Sequence, residues 1–148
     1  MTNSSALEVT RTLDILAPRE KVWAALTVPA LINEWFGDES TFEPTVGAAG
    51  SLTWADFGSY RLVIEEVDEP TLLAYRWARS KDADPDTHNS THVRFTLEDL
   101  GGSTRLTVVE TGWESLEGDI EKGMAENTVG WHDELNELRA VLELQDSQ

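Results

Sequence analysis

The stretch Leu116–Leu144, LEGDIEKGMAENTVGWHDELNELRAVLEL, decides the fold. Within it Ile120, Met124, Thr128, Trp131, Leu135, Leu138 and Leu142 recur three or four residues apart, which makes one apolar stripe along an α-helix. At 1.5 Å rise per residue the helix would be about 40 Å long, enough to cross a whole sheet. A helix with one apolar stripe needs an apolar surface to cover, and the residues before it must supply one.

They do so with a different period. Leu7, Val9, Leu13 and Ile15 fall on alternate positions and predict a first strand over Leu7–Leu16. Pro18 then opens a short helix with Val22, Trp23 and Leu26 on one side, because proline's missing N–H costs least in a first turn. Pro29 opens a second through Leu31, Ile32, Trp35 and Phe36, which Gly37 ends. Alternation returns in Leu52 and Trp54, in Tyr60, Leu62 and Ile64, in Leu73, Tyr75 and Trp77, in Val93, Phe95 and Leu97, and in Leu106 and Val108. Asp68-Glu69-Pro70 and Gly101-Gly102 read as turns, and Lys81–His88 as a polar acidic loop. One-sided alternation with tight turns predicts an antiparallel sheet with one covered face. Strand, two short helices, meander and long helix predict an α+β fold with segregated layers, a single domain over 1–148 with its core at about 7–144.

Composition limits the function. The chain of 148 residues carries 28 acidic and 11 basic residues, a formal net charge of −17. Such a surface repels phosphates and argues against nucleic acid and against an anionic membrane as partners. There is no cysteine, so disulfides, thiolate metal sites and cysteine nucleophiles are excluded. Met1–Ala6 has neither a basic region nor an apolar run, so no signal peptide is expected, nor any membrane span, and the expected location is the cytoplasm.

The opening strand followed by Ala17-Pro18-Arg19-Glu20-Lys21-Val22-Trp23-Ala24-Ala25-Leu26 resembles the start of the START and Bet v 1-like (SRPBCC) superfamily. Within it the chain is most similar to the family named after the activator of the Hsp90 ATPase. The matching pieces are Trp35-Phe36-Gly37, Glu65-Glu66-Val67-Asp68-Glu69-Pro70, Leu73-Ala74-Tyr75-Arg76-Trp77, Thr111-Gly112-Trp113 and Gly130-Trp131. The resemblance runs from about Leu7 to Leu144. It implies a helix-grip fold, a curved antiparallel sheet wrapped around the C-terminal helix, with a cavity between the two. It carries no uniform activity and no universal catalytic residues, since fold alone does not decide function.

Trp35, Phe36, Trp54, Tyr60, Tyr75, Trp77, Phe95 and Trp131 all take inward positions in this reading. Aromatic rings line apolar pockets, and indole and phenol polar atoms need partners in a dry interior. Core packing is the competing account for each ring taken singly. Gly123, Met124 and Asn127 lie on one flank of the helix, with Gly130 a turn further on. Each helical glycine costs about 1 kcal/mol against alanine, which suggests either space left for a ligand or close backbone packing. The expected ligand cavity therefore comprises Trp35, Trp54, Tyr60, Tyr75, Trp77, Phe95, Gly123, Met124, Asn127 and Trp131.

Other polar groups read as surface. Arg61 and Arg76 alternate outward and are expected in ion pairs. His88 and His92 sit at a loop-to-strand junction, where helical ligand spacing does not apply, so no metal site is assigned, and His132 is expected exposed. Glu65 and Glu66, as neighbours on a strand, point to opposite faces and cannot pair as acid and base. The remaining carboxylates read as surface charge, and neither catalytic residues nor a cofactor site are assigned. A small apolar or amphipathic ligand is the leading expectation. A protein-interaction module of the co-chaperone type, with a homodimer or chaperone partner, is the second. An enzyme of polyketide cyclase or small hydrolase type is the third, because no inward polar group stands out to do the chemistry.

Overall fold

The computed structural model describes residues 7–146. The reading of Met1–Ala6 as no leader lies outside them. Strands β1 (Val9–Ile15), β2 (Glu39–Thr41), β3 (Ala49–Trp54), β4 (Gly58–Asp68), β5 (Leu72–Ala78), β6 (Ser90–Asp99) and β7 (Thr104–Thr111) form one curved antiparallel sheet in the order β1-β7-β6-β5-β4-β3-β2. Helices α1 (Arg19–Thr27) and α2 (Pro29–Ile32) lie between β1 and β2, and α3 (Ile120–Asp146) follows β7 after a single 3-10 turn at Trp113–Ser115. This is the helix-grip architecture that the sequence predicts.

The meander comes from local pattern. Leu62 and Ile64 of β4 pair with Trp77 and Tyr75 of β5, so the large apolar side chains share one face. The same face continues through Val93, Phe95 and Leu97 of β6 and Leu106 and Val108 of β7, all buried. The edge strand β2 is not legible in the sequence because Glu39, Ser40 and Thr41 are all polar and give no apolar alternation.

α3 starts at Ile120, where the stripe begins, and not at Leu116, where the helical segment is expected to start. Gly118 takes a left-handed φ of +92°, and Asp119 caps the helix, its Oδ1 accepting the Lys122 N–H at 3.0 Å. Over its 27 residues the helix is about 40 Å long. Trp131, Leu135, Leu138 and Leu142 are buried, as the stripe requires. Thr128 is not part of it: it is exposed, and its hydroxyl donates to the Met124 carbonyl. The inward place at that level belongs to Asn127.

One strand departs from regular alternation. The β4–β5 register shifts between Ile64 and Glu66, which leaves Glu65 as an extra residue. The bulge corrects the expectation that Glu65 and Glu66 face opposite ways. Both reach His92, at 3.5 and 3.8 Å, and they pair with Arg76 and Arg94 at 3.6 Å each, all on the outer face. Arg61 pairs with Asp84 at 2.9 Å, as an outward arginine should.

The facing of α3 can be tested directly. Leu138→Ala, at a fully buried position, should cost about 2–5 kcal/mol. Val129→Ala, on the face where Val129 is 61% exposed, should change stability by less than about 0.5 kcal/mol. Urea midpoints of the two variants check the assignment.

Candidate functional site

The polar centre of the molecule is Glu110. β7 alternates Leu106, Val108, Glu110 with side chains inward, and Glu110 is completely buried. Its carboxylate accepts four donors. Trp77 Nε1 at 3.0 Å and the Thr91 hydroxyl donate to Oε2, while Asn127 Nδ2 and Trp131 Nε1, each at 2.8 Å, donate to Oε1. A carboxylate is an acceptor-only group with room for about four such bonds, so the cage is complete. Thr91 reaches it because β6 places Thr91 in phase with Val93 and Phe95. Asn127 and Trp131 are one helical turn apart on α3 and close the cage from the other layer.

Three of the donors, Trp77, Asn127 and Trp131, also wall an open groove. It has a volume of about 470 Å³ and is lined by Phe36, Trp54, Phe57, Trp77, Asn127 and Trp131, with Glu126, Gly130 and Glu134 along the helix side. A smaller recess of about 200 Å³ shares Trp54, Trp77 and Asn127 and adds Tyr60, Ala78 and Arg79. Phe36 anchors the aromatic wall: its ring centroid lies 5.1 Å from Trp54, 5.5 Å from Trp131 and 5.8 Å from Trp77. These separations suit offset and edge-to-face packing. Phe57, on the β3–β4 turn, is 68% exposed at the mouth.

Of the expected cavity residues, the structure brings Trp54, Tyr60, Trp77, Asn127 and Trp131 to these openings. Trp35, Tyr75 and Phe95 lie apart from them, in the closed core. α2 ends at Ile32, short of the expected Phe36, and Trp35 in the turn after it stacks on Phe36 at 4.7 Å and donates its indole N–H to the Ala25 carbonyl at 2.8 Å, which ties that turn to α1. Tyr75 is wedged between Phe42, Trp77 and Phe95, and burial, helped by the charge of Glu110, pushes its phenol far above the usual range. Strand phase puts Tyr75 and Phe95 inward, but phase says nothing of depth. Met124 is half-buried against the core.

The two helix glycines divide. A Cβ on Gly123 would sit 3.2 Å from Arg79 Nη2 and 3.3 Å from Trp113 Cζ3, so Gly123 serves close packing and does not border the groove. A Cβ on Gly130 would meet nothing within 4 Å, and Gly130 lines the groove. Asn127 is no passive gap either, since its amide is one of the four donors to Glu110.

Glu110 was missed because carboxylates were read together as surface charge. The signal is the alternation of Leu106 and Val108, which carries inward to residue 110, together with inward tryptophans whose indole N–H groups need acceptors. Trp113 Nε1 takes the Glu110 backbone carbonyl at 3.0 Å. The histidines do not converge. His92 lies on the outer face, 3.5 Å from Glu65, and His132 is exposed, within 3.2 Å of Asn136 Nδ2. Among the described residues no group of three His, Cys, Asp or Glu side chains could hold a metal ion. No described helix is long and apolar enough to cross a membrane.

Two outcomes follow from the cage and its rim. Glu110→Gln turns one acceptor oxygen into an NH2 group that faces donors; Trp77 keeps the Thr91 hydroxyl as an acceptor at 3.0 Å, and the loss of the charge-assisted bonds in the cage should cost about 1–3 kcal/mol in chemical denaturation. Glu134, half-buried at the groove, has its carboxyl pKa raised by burial and by Glu137 and Asp133. A raised folded-state value means that stability is highest below the unfolded pKa of about 4.3 and falls as pH rises past it. Glu134→Gln should therefore melt higher than the wild type at neutral pH and lose that advantage in acid.

The comparisons with known proteins agree with this architecture. Similar solved structures include a Mesorhizobium loti protein (25% identity, 93% of this chain and 97% of the other, TM-score 0.79). CalU16 from Micromonospora echinospora is similar at 25% identity over 90% of this chain and 74% of the other, TM-score 0.70. The Aha1 dimer from Colwellia psychrerythraea, at 19% identity, 93% and 96% coverage and TM-score 0.78, shares the fold. A search of curated proteins gives no match. The family model described as Activator of Hsp90 ATPase homolog 1-like protein matches residues 16–143, most of the chain, and the protein belongs to that family, within the START/Bet v 1-like superfamily.

Proposed function

We propose that the protein binds a small, largely apolar molecule in the groove between α3 and the β3–β5 end of the sheet. The observation that carries this reading is unfilled space of about 470 Å³ against the rings of Phe36, Trp54, Trp77 and Trp131. Ligand sites commonly occupy about 300–1,000 Å³ and combine apolar walls with a few fixed polar groups. Gly130 keeps the helix side of the groove open, since a side chain there would project into it.

Binding is favoured over catalysis by the state of Glu110. It is the inward polar group that the enzyme reading lacked, yet each of its oxygens already accepts two donors. A general base must reach the proton it removes, and no lone pair of Glu110 is left to do so. Self-association is a second reading, supported by the likeness to a chain solved as a dimer and by exposed Phe57 at the mouth of the groove. Sedimentation of the wild type beside Phe57→Ser tests it: a dimer that dissociates on this change would support it.

The ligand reading is tested by filling the groove. The neutral fluorophore N-phenyl-1-naphthylamine should bind the wild type with blue-shifted, enhanced emission. Gly130→Leu should abolish that signal and leave stability equal or up to about 1 kcal/mol higher, as helix propensity improves. Gly123→Leu should do the reverse, overpacking Trp113 and Arg79 at a cost of about 1–3 kcal/mol while the fluorophore still binds. Loss of binding in neither variant, or no binding by the wild type, rejects the groove as the site.

A further inference from the structure

The charges around the groove define the chemistry of its occupant. Glu110 lies directly behind the wall, since three of its four donors, Trp77, Asn127 and Trp131, are groove residues. All four donors are neutral. Among the described residues no ion pair involves Glu110. A buried carboxylate is ordinarily matched by a cation or a metal, and this one is satisfied in hydrogen bonds but not in charge. Its field therefore passes through the wall into a cleft with low-dielectric sides, where it is poorly screened.

The rim adds to that field. Glu126 and Glu134 line the helix side, and burial, with the charges of Glu137 and Asp133 added to it, disfavours the charged form of Glu134. No lysine or arginine lines the larger groove. Arg79 lines the smaller recess and, with Trp113, Gly123 and Glu126, a separate opening at the start of α3, where its guanidinium lies over the Trp113 ring at 4.8 Å. The wall itself is made of indole and phenyl rings, whose negative faces attract cations within about 6 Å, tryptophan most of all. An anionic molecule would meet three carboxylates here. A neutral one would leave Glu110 uncompensated.

We propose that the groove takes an organic cation, a small amine or quaternary ammonium with an apolar body, whose charge sits between the rings of Trp54, Trp77 and Trp131 and the carboxylates of Glu126 and Glu134. The inference rests on the reading of the groove as a ligand site and specifies its occupant. The bound cation supplies the counter-charge that the fold withholds from Glu110, and the apolar body fills the space beside Phe36 and Gly130.

A matched pair of probes separates the two claims: benzyl(2-hydroxyethyl)dimethylammonium and its neutral carbon isostere 3,3-dimethyl-4-phenylbutan-1-ol, which differ only in the charged nitrogen. Titration of each into 15N-labelled protein at about 0.15 M salt, where exposed charges are screened beyond about 8 Å, is followed through the indole N–H signals of Trp77 and Trp131. The cation should shift both indoles and bind at least about tenfold more tightly than the isostere. In Glu126→Gln/Glu134→Gln, two rim changes that spare the core, that preference should shrink severalfold while the affinity for the isostere holds. If the isostere binds as tightly as the cation, the cation proposal falls and the apolar site stands. If neither probe shifts the indoles, both fall. A cation that binds without moving them is merely drawn to the acidic surface, and that too overturns the proposal.

Discussion

A carboxylate held in the interior by Trp77, Thr91, Asn127 and Trp131 is the constraint around which this molecule is organised. Burying a charge costs several kcal/mol unless its hydrogen-bonding capacity is filled. The donors come from β5, β6 and α3, and the acceptor from β7. None of these segments can complete the cage by itself, so the cage is whole only when α3 is docked on the assembled sheet centre. The indoles that donate to Glu110 also face the groove, so its wall is held in place by the interaction that seats the helix. Rigid walls are what a binding site needs if little ordering is to be left for the moment of binding.

The aromatic cluster gains from the same arrangement. Phe36, delivered by the turn after α2, sits among Trp35, Trp54, Trp77 and Trp131. Trp35 is fixed by the Ala25 carbonyl, Trp77 and Trp131 by Glu110, and Trp113 by the backbone of Glu110. Every one of these indole N–H groups has a partner, which lets large rings be buried without an unpaired donor. The outer face is organised by a different device, the bulge at Glu65, which gathers Glu65, Glu66, Arg76, His92 and Arg94 into one ion-pair cluster away from the groove.

Much of the fold was legible because its elements are set by short-range period. Two-residue alternation in Leu62 and Ile64, in Val93, Phe95 and Leu97, and in Leu106 and Val108 placed the strands and their covered face. A spacing of three or four placed Trp131, Leu135, Leu138 and Leu142 on the buried side of α3. Less of the site was legible. Phase separates inside from outside but not a ring on a groove wall from a ring in the core, which is why Trp35, Tyr75 and Phe95 stood beside Trp54 and Trp77 in the expectation. Glu110 obeyed the alternation and was still passed over, because charge outweighed phase in the reading. The bulge at Glu65 left no local mark, since an extra residue is defined only against the strand that pairs with it.

The sequence by itself determined the order of elements, the covered face of the sheet, the facing of the long helix and the acidic surface, all of which follow from neighbours within a few positions. The tertiary structure alone decided which donors reach Glu110, that Gly123 meets Arg79 and Trp113 while Gly130 borders open space, and where the aromatic wall stops and the core begins. Those outcomes depend on distances between segments far apart in the chain. Hydrogen bonds of 2.8–3.0 Å and a gap of a few ångströms beside a helix are properties of how layers meet, and no periodicity encodes them.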